Sequence, residues 1–101
     1  MFLKMKFLKY SGNMELKYKG SFKRDFNINN QTIVKAVYEA VINIKTASNI
    51  SKINDLKKLK KYSVHYRIKI AENYRLGIII RKNTVYFVRI GHRSSFYKYF
   101  P

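Results

Sequence analysis

Apolar and polar side chains alternate from Met14 to Lys19, with Met14, Leu16 and Tyr18 against Glu15, Lys17 and Lys19. A period of two is that of a half-buried strand. Gly20-Ser21 ends it, and Ser21 stands where it can cap a short helix starting at Phe22. The Asn-rich stretch from Asn27 to Asn30 separates that helix from a second one. From Gln31 to about Ala47 the period becomes helical. Ile33, Val34, Val37, Tyr38, Val41, Ile42 and Ile44 form a wide apolar stripe, and Lys35, Glu39, Asn43 and Lys45 lie toward the opposite side. Tyr38 reads as a core residue. Ser48 to Asn54 reads as a loop or short turn. Asp55 to Lys61, with Leu56 and Leu59 among four Lys, reads as a solvated connector.

Three strands follow, at about His65–Ala71, Tyr74–Arg81 and Thr84–Ile90. The connections around Glu72-Asn73 and Lys82-Asn83 are short enough for hairpins. Alternation sorts their side chains. Tyr66, Ile68 and Ile70, then Tyr74, Leu76, Ile78 and Ile80, then Tyr86, Val88 and Ile90 are expected to pack on the helices. The other face takes His65, Arg67 and Lys69, then Arg75, Gly77, Ile79 and Arg81, then Val85, Phe87, Arg89 and, by extension, Arg93. The order β-α-α-β-β-β predicts an α+β fold, with helices packed on one face of a small, mostly antiparallel sheet. A concentrated field of cations is expected on the other face.

The 101 residues suffice for one small domain, and 47% apolar content with 16% aromatics supplies a core despite the charge. That charge is +17, from 22 basic and 5 acidic side chains. Such an excess favours a polyanionic partner: nucleic acid, an acidic protein or an anionic membrane. A lysine-rich proteome would account for many of the sixteen Lys. It does not account for the six Arg, five of which fall in or beside the C-terminal strands. Cysteine is absent, which excludes disulfides and thiolate metal sites and is compatible with a reducing cytoplasm. With two His and scattered acids, a protein-built metal site is not expected. Lys4, Lys6 and Lys9 interrupt the apolar N-terminus, so it reads neither as a signal peptide nor as a membrane span. Ser11-Gly12-Asn13 reads as a break. Residues 1–13 are accordingly an extension of uncertain status, and 14–101 the domain.

Leu56-Lys-Lys-Leu-Lys-Lys-Tyr62, His65-Tyr-Arg-Ile-Lys-Ile70, Asn73-Tyr-Arg-Leu-Gly77, Arg89-Ile-Gly-His-Arg93 and Phe96-Tyr-Lys-Tyr-Phe-Pro101 together resemble the RelE/ParE superfamily of bacterial and archaeal toxins. The similarity is greatest to a RelE-like branch ending in His-Arg…Tyr-x-Tyr-Phe-Pro, and it spans roughly Met14 to Pro101. The resemblance implies a type II toxin–antitoxin system in the cytoplasm. The RelE type is an endoribonuclease that cuts mRNA in the ribosomal A site, without a metal or other cofactor. An acidic antitoxin neutralises it by wrapping the basic surface, and DNA is contacted only through that antitoxin. The ParE type shares the fold but targets DNA gyrase. A degenerate, non-catalytic basic module is a third alternative.

In the RelE type the 2′-hydroxyl of RNA attacks the adjacent phosphate. That requires removal of the 2′ proton, stabilisation of charge on the phosphorane-like oxygens and a proton for the leaving 5′-oxygen. Preorganised cations often supply the largest share, and the planar fork of Arg binds two phosphate oxygens. By resemblance, Arg67 and Lys69 match the basic positions of the first hairpin strand, which bind phosphate and transfer protons. Arg75 matches the Tyr-Arg pair and Arg93 the Gly-x-Arg, both bracing the phosphate. Tyr97 matches the Tyr that stacks on the base or orients the nucleophile. Its spacing from Arg93 is short, so Tyr99 competes for that role.

His92 has chemistry suited to acid–base work near neutrality, against a structural or phosphate-binding role. Strict alternation turns it toward the core face, and only a twist or bulge after Gly91 would bring it round. His65, on the basic face, is a weaker candidate. Lys69, crowded by Arg, is a further candidate base. Lys57, Lys58, Lys60 and Lys61 read either as contacts to RNA or the ribosome or as a solvated face, and Arg89 joins the RNA-binding set.

Overall fold

The computed structural model describes residues 10–11 and 14–101. The break expected at Ser11–Asn13 falls partly outside the described residues. Strand β1 (Tyr10–Ser11) pairs antiparallel with β2 (Met14–Tyr18). Helices α1 (Gly20–Ile28) and α2 (Gln31–Thr46) follow, then a short 3-10 turn at Ile50–Lys52. The chain continues through β3 (Leu56–Lys58), β4 (His65–Ile70), β5 (Tyr74–Arg81) and β6 (Thr84–His92) to a second 3-10 turn at Phe96–Lys98. Among the described residues the strands form one sheet in the order β1-β2-β6-β5-β4-β3, antiparallel throughout except where β2 runs parallel to β6. This is the expected mixed fold with two added strands, β1 at one edge of the sheet and β3 at the other. The Lys-rich segment read as a connector contains an edge strand. Leu56 turns inward opposite Ile68, while Lys57 and Lys58 stay in solvent.

The helix stripe packs as its spacing requires. Ile33, Val34, Val37, Val41 and Ile44 are buried against Leu16, Ile68, Ile70, Leu76, Ile78 and Ile80. Tyr38 lies at the margin of the stripe and is 37% exposed, so it is a surface residue and not core. Asn30 caps α2, its Oδ1 accepting from the Ile33 N–H at 3.1 Å. Ser21 does not cap α1. That helix begins at Gly20, two residues before Phe22, and Ser21 Oγ donates to the Val88 carbonyl at 2.6 Å.

The largest departure from the expected faces lies in β6. Val85 and Phe87 are fully buried on the helix side, whereas Tyr86 and Val88, expected there, are not. A β-bulge explains the inversion. Gly77 pairs with Arg89 but Ile78 pairs with Phe87, leaving Val88 unpaired. The extra residue restores the expected parity beyond it, so Ile90 also faces the core.

Helix α1 holds this bulge. Lys19 N–H donates to the Phe87 carbonyl at 2.9 Å, Ser21 takes the Val88 carbonyl, and Asp25 Oδ2 accepts from the Ile90 N–H at 2.9 Å. Three backbone groups around the irregular ladder therefore find partners on or beside one helix.

The second face of the sheet is not the open cationic field expected. The C-terminal residues fold back across it and bury Phe96 and Phe100, each 1% exposed. Gly77 permits this. A Cβ there would lie 2.8 Å from the Phe100 ring, closer than carbon atoms pack. Phe96 similarly sits over Gly91. No helix among the described residues is long and apolar enough to cross a membrane.

Candidate functional site

Strand register places the basic residues in rows across the second face. One row runs Lys57–Arg67–Gly77–Arg89 and the next Lys69–Arg75–Gly91. Phe100 lies over Gly77 and meets the His65 ring at 5.6 Å between centroids, while Phe96 lies over Gly91. The C-terminal segment thus crosses the face diagonally and divides its cations. Arg67, Lys69 and Arg75 fall on the β4 side. Arg89 falls on the β6 side.

The two sides differ in their electrostatics. Arg89 forms a two-point ion pair with Asp25, Nε to Oδ2 at 2.8 Å and Nη2 to Oδ1 at 3.3 Å. Its guanidinium also lies 5.1 Å from the centroid of Tyr99. Asp25 is only 5% exposed, so this pair is largely withdrawn from water. On the other side no carboxylate among the described residues comes within ion-pair distance of Arg67, Lys69 or Arg75. Instead cations face cations: Lys57 opposes Arg67, and Lys69 opposes Arg75. Directly opposed Cα atoms in an antiparallel pair lie about 4.5–5.5 Å apart, and like charges there destabilise the sheet.

The turn between β4 and β5 gathers the remaining candidates. Ala71 and Glu72 both have positive φ, 43° and 52°, which reverses the chain tightly. Arg75 Nη1 donates to the carbonyls of Glu72 at 3.2 Å and Tyr74 at 3.0 Å. Arg93 N–H donates to the Asn73 carbonyl at 2.7 Å, fixing the end of β6 beside that turn. The His92 ring meets the Tyr74 ring edge-on, 5.4 Å between centroids.

By register His92 keeps the helix-side parity of Ile90 and Tyr74, since the bulge lies at Val88 and not after Gly91. It is nevertheless exposed, because the strand has run past the core. Its Nδ1 accepts from the Ser94 N–H at 3.1 Å and lies 2.8 Å from Ser94 Oγ. Those partners assign the neutral ring's proton to Nε2, which leaves an N–H donor as its outward group.

Two tyrosines competed for one role, and they are placed differently. Tyr99 is engaged with Arg89. Tyr97 is 54% exposed and touches Phe96 edge-on at 5.1 Å, close to the row that holds Arg75 and Gly91. His65 is occupied by packing between Tyr62 and Phe100, and its Nδ1 is buried without a hydrogen-bond partner. Lys57, Lys58, Lys60 and Lys61 are all exposed around β3 and its turn.

A hollow of about 250 Å³ between α2 and β4 is lined by Glu39, Asn43, Asn54, Asp55, Ile68 and Lys69, among others. Two carboxylates on its wall make it a poor seat for a phosphate. No three His, Cys, Asp or Glu among the described residues are grouped to hold a metal ion. Sequence reasoning missed the Asp25–Arg89 pair. The one signal was an acid, Asp25, recurring three residues after Phe22 and one before Phe26 on an otherwise buried face.

The geometry has counterparts among known proteins. No protein-family profile matches the chain. Toxin RelE3 of Methanocaldococcus jannaschii is 44% identical over 62 residues, covering 57% of this chain and 69% of that protein. Among solved structures, the RelB-RelE antitoxin-toxin complex from Methanococcus jannaschii contains a chain that superimposes with a TM-score of 0.70 and 30% identity. That match covers 84% of this chain and 99% of the other. YafQ from E. coli, with 14% identity and a TM-score of 0.65, shares the fold over 83% of this chain and 98% of its own. YoeB from Staphylococcus aureus, with 18% identity and the same TM-score, does so over 79% and 97%. A small mixed sheet backed by two helices is thus the architecture of a known toxin class. The chain belongs to the RelE-like toxin superfamily.

Proposed function

We propose that this protein is the toxin of a type II toxin–antitoxin system, an endoribonuclease that cuts mRNA at the ribosome and so arrests translation in the cytoplasm. The observation that carries this reading is the β4–β5 cation cluster. Lys57 opposes Arg67 and Lys69 opposes Arg75, with no acid among the described residues in ion-pair reach of Arg67, Lys69 or Arg75. A fold that pairs Arg89 with a buried carboxylate keeps these like charges together, and a phosphodiester would relieve their repulsion.

In this reading Arg67 and Arg75 bind the non-bridging oxygens of the scissile phosphate and stabilise the charge that builds as the 2′-oxygen attacks phosphorus. Lys69, on the same row as Arg75, serves the 2′-hydroxyl as base. The guanidinium of Arg93, two residues on from Gly91, is assigned to the leaving 5′-oxygen, which takes a proton as the P–O5′ bond breaks; His92, on the helix-side parity, could give that proton only to a strand that wraps the end of β6. Tyr97 stacks on a neighbouring base. The exposed Lys57, Lys58, Lys60 and Lys61 hold the RNA or ribosomal backbone through charge alone. No step draws on a metal ion. The partner that silences the toxin is an acidic antitoxin whose carboxylates fill the same cation cluster, and any contact with DNA runs through it. The M. jannaschii relative, solved as an antitoxin-toxin complex, supports such a partner.

The test is induced expression followed by mapping of mRNA 5′ ends. Wild-type protein is expected to produce cuts confined to translated regions, and Arg93→Ala to abolish both cuts and growth arrest while remaining folded. Full toxicity from a folded Arg93→Ala protein would sink the site assignment. DNA damage with intact mRNA would replace the nuclease with a gyrase inhibitor.

A further inference from the structure

One exposed aromatic ring lies on the cation cluster's side of the C-terminal segment. Tyr62 is 44% exposed, in the turn between β3 and β4. Its neighbour Lys61 adopts a left-handed φ of 67°, an uncommon conformation for a residue with a Cβ, and the Tyr62 N–H closes the turn on the Leu59 carbonyl at 3.3 Å. That reversal brings the ring back over the second face, edge-on to His65 at 5.3 Å. The contact continues inward, from His65 to Phe100 and from Phe100 to Phe96 at 5.3 Å. Tyr62 is therefore the solvent end of an anchored ladder of rings, held at one edge and open on the remainder.

Along β4 the second face reads His65, Arg67, Lys69, with about 6–7 Å between alternate residues. Tyr62 stands one ring beyond His65, at the opposite end from Lys69. A strand whose scissile phosphate lies on Arg67 and Arg75, and which runs along β4 toward His65, would meet that ring within about one or two nucleotides. The flanking cations Lys57, Lys60 and Lys61 attract the backbone, and a fixed aromatic face supplies what they lack: a surface for a base. Cationic tracks interleaved with aromatic rings are the general form of a single-strand binding groove.

We infer that Tyr62 is a second stacking platform, binding a base of single-stranded RNA beside the cation cluster. The inference rests on the ribonuclease reading and adds a subsite to it. Stacking is sequence-tolerant and uncharged, so it contributes affinity without changing the number of counterions released.

The chain contains no Trp, so Tyr62→Trp places a unique fluorophore at the platform. The full-length protein is titrated with a short, 2′-O-methylated single-stranded RNA that cannot be cleaved. Saturable quenching of the indole is expected. Tyr62→Ala should weaken binding by about 5- to 150-fold with an unaltered salt slope, and Tyr62→Phe should restore it. Removing the bases from the oligonucleotide should remove the difference between the wild-type and Tyr62→Ala proteins. Binding within twofold of wild type for a folded Tyr62→Ala protein overturns the platform and leaves the nuclease reading intact. So does a loss confined to binding of an acidic antitoxin peptide, which would make Tyr62 a protein contact. No RNA binding by the wild-type protein itself, together with unbroken mRNA in cells, overturns the nuclease reading and the platform with it.

Discussion

Arg67 and Arg89 occupy the same row of the sheet, on either side of Gly77, and look equivalent in the sequence. Their surroundings are opposite. Arg89 is held by Asp25 and covered by Tyr99, in an ion pair that also fastens the bulge of β6 through the Ile90 N–H. Arg67 faces Lys57, lies beside the Lys69–Arg75 pair, and has no acid within reach among the described residues. A cation with a buried carboxylate is part of the framework. Cations stacked against one another with none are free to hold an anion from outside. A folded chain tolerates the second arrangement only at a cost to stability, and that cost is what points to use.

The largest effect should separate the two sides outright. Replacing Arg75 by Ala is expected to slow RNA cleavage by about 10²–10³-fold, measured as single-turnover cleavage on programmed ribosomes. Its thermal midpoint should change little, because removing a like-charge pair with Lys69 offsets the loss of the hydrogen bonds to the Glu72 and Tyr74 carbonyls. Replacing Arg89 by Ala should do the reverse, lowering the midpoint while the folded fraction cleaves within a few-fold of wild type. If both variants lose activity without losing stability, the division of the face is wrong.

Next in size is Asp25→Ala. It leaves the Ile90 N–H and the Arg89 guanidinium without their acceptor, and should destabilise the domain by about 2–3 kcal/mol in denaturant unfolding. The lower part of the usual range applies because Arg89 is 25% exposed and can recover water. Hydrogen exchange at Arg89 and Ile90 should rise more than at Leu76, if Asp25 pins the bulge in particular. Uniform acceleration across the sheet would argue against that local role.

The smallest change in atoms tests the C-terminal segment that separates the sides. Gly77→Ala puts a methyl group against the Phe100 ring and should cost about 1–3 kcal/mol through forced displacement. Carboxypeptidase should then release residues from the C-terminus faster than from the wild type. An unchanged digestion rate would mean that Phe100 shifts without leaving the sheet.

Much of this was legible in the residues. The helical stripe of α2 and the period of two in β4 and β5 follow from where apolar side chains must go, and the hairpin turns come where two short polar breaks interrupt them. The resemblance carried by His65 to Ile70 and by the final six residues identified the superfamily. Three things were not legible, each for a physical reason. The strand at Leu56–Lys58 satisfies only one inward side chain, so its pattern is indistinguishable from a charged loop until β4 offers backbone partners. The burial of Phe100 beside Phe96 depends on a glycine, Gly77, lying beneath its ring on a distant strand. The β6 inversion depends on a single unpaired residue, Val88, which alternation cannot register.

The sequence by itself determined the fold class, the toxin superfamily and the set of cations from which the site is drawn, because hydrophobic periodicity and charge are properties of the chain read locally. Which cations act together was decided only in three dimensions. Asp25 meets Arg89 across 64 residues, and Phe100 reaches Gly77 from the far end of the chain. Contacts between distant segments neutralise one arginine and leave its row-mate charged and open, and no local pattern distinguishes the two.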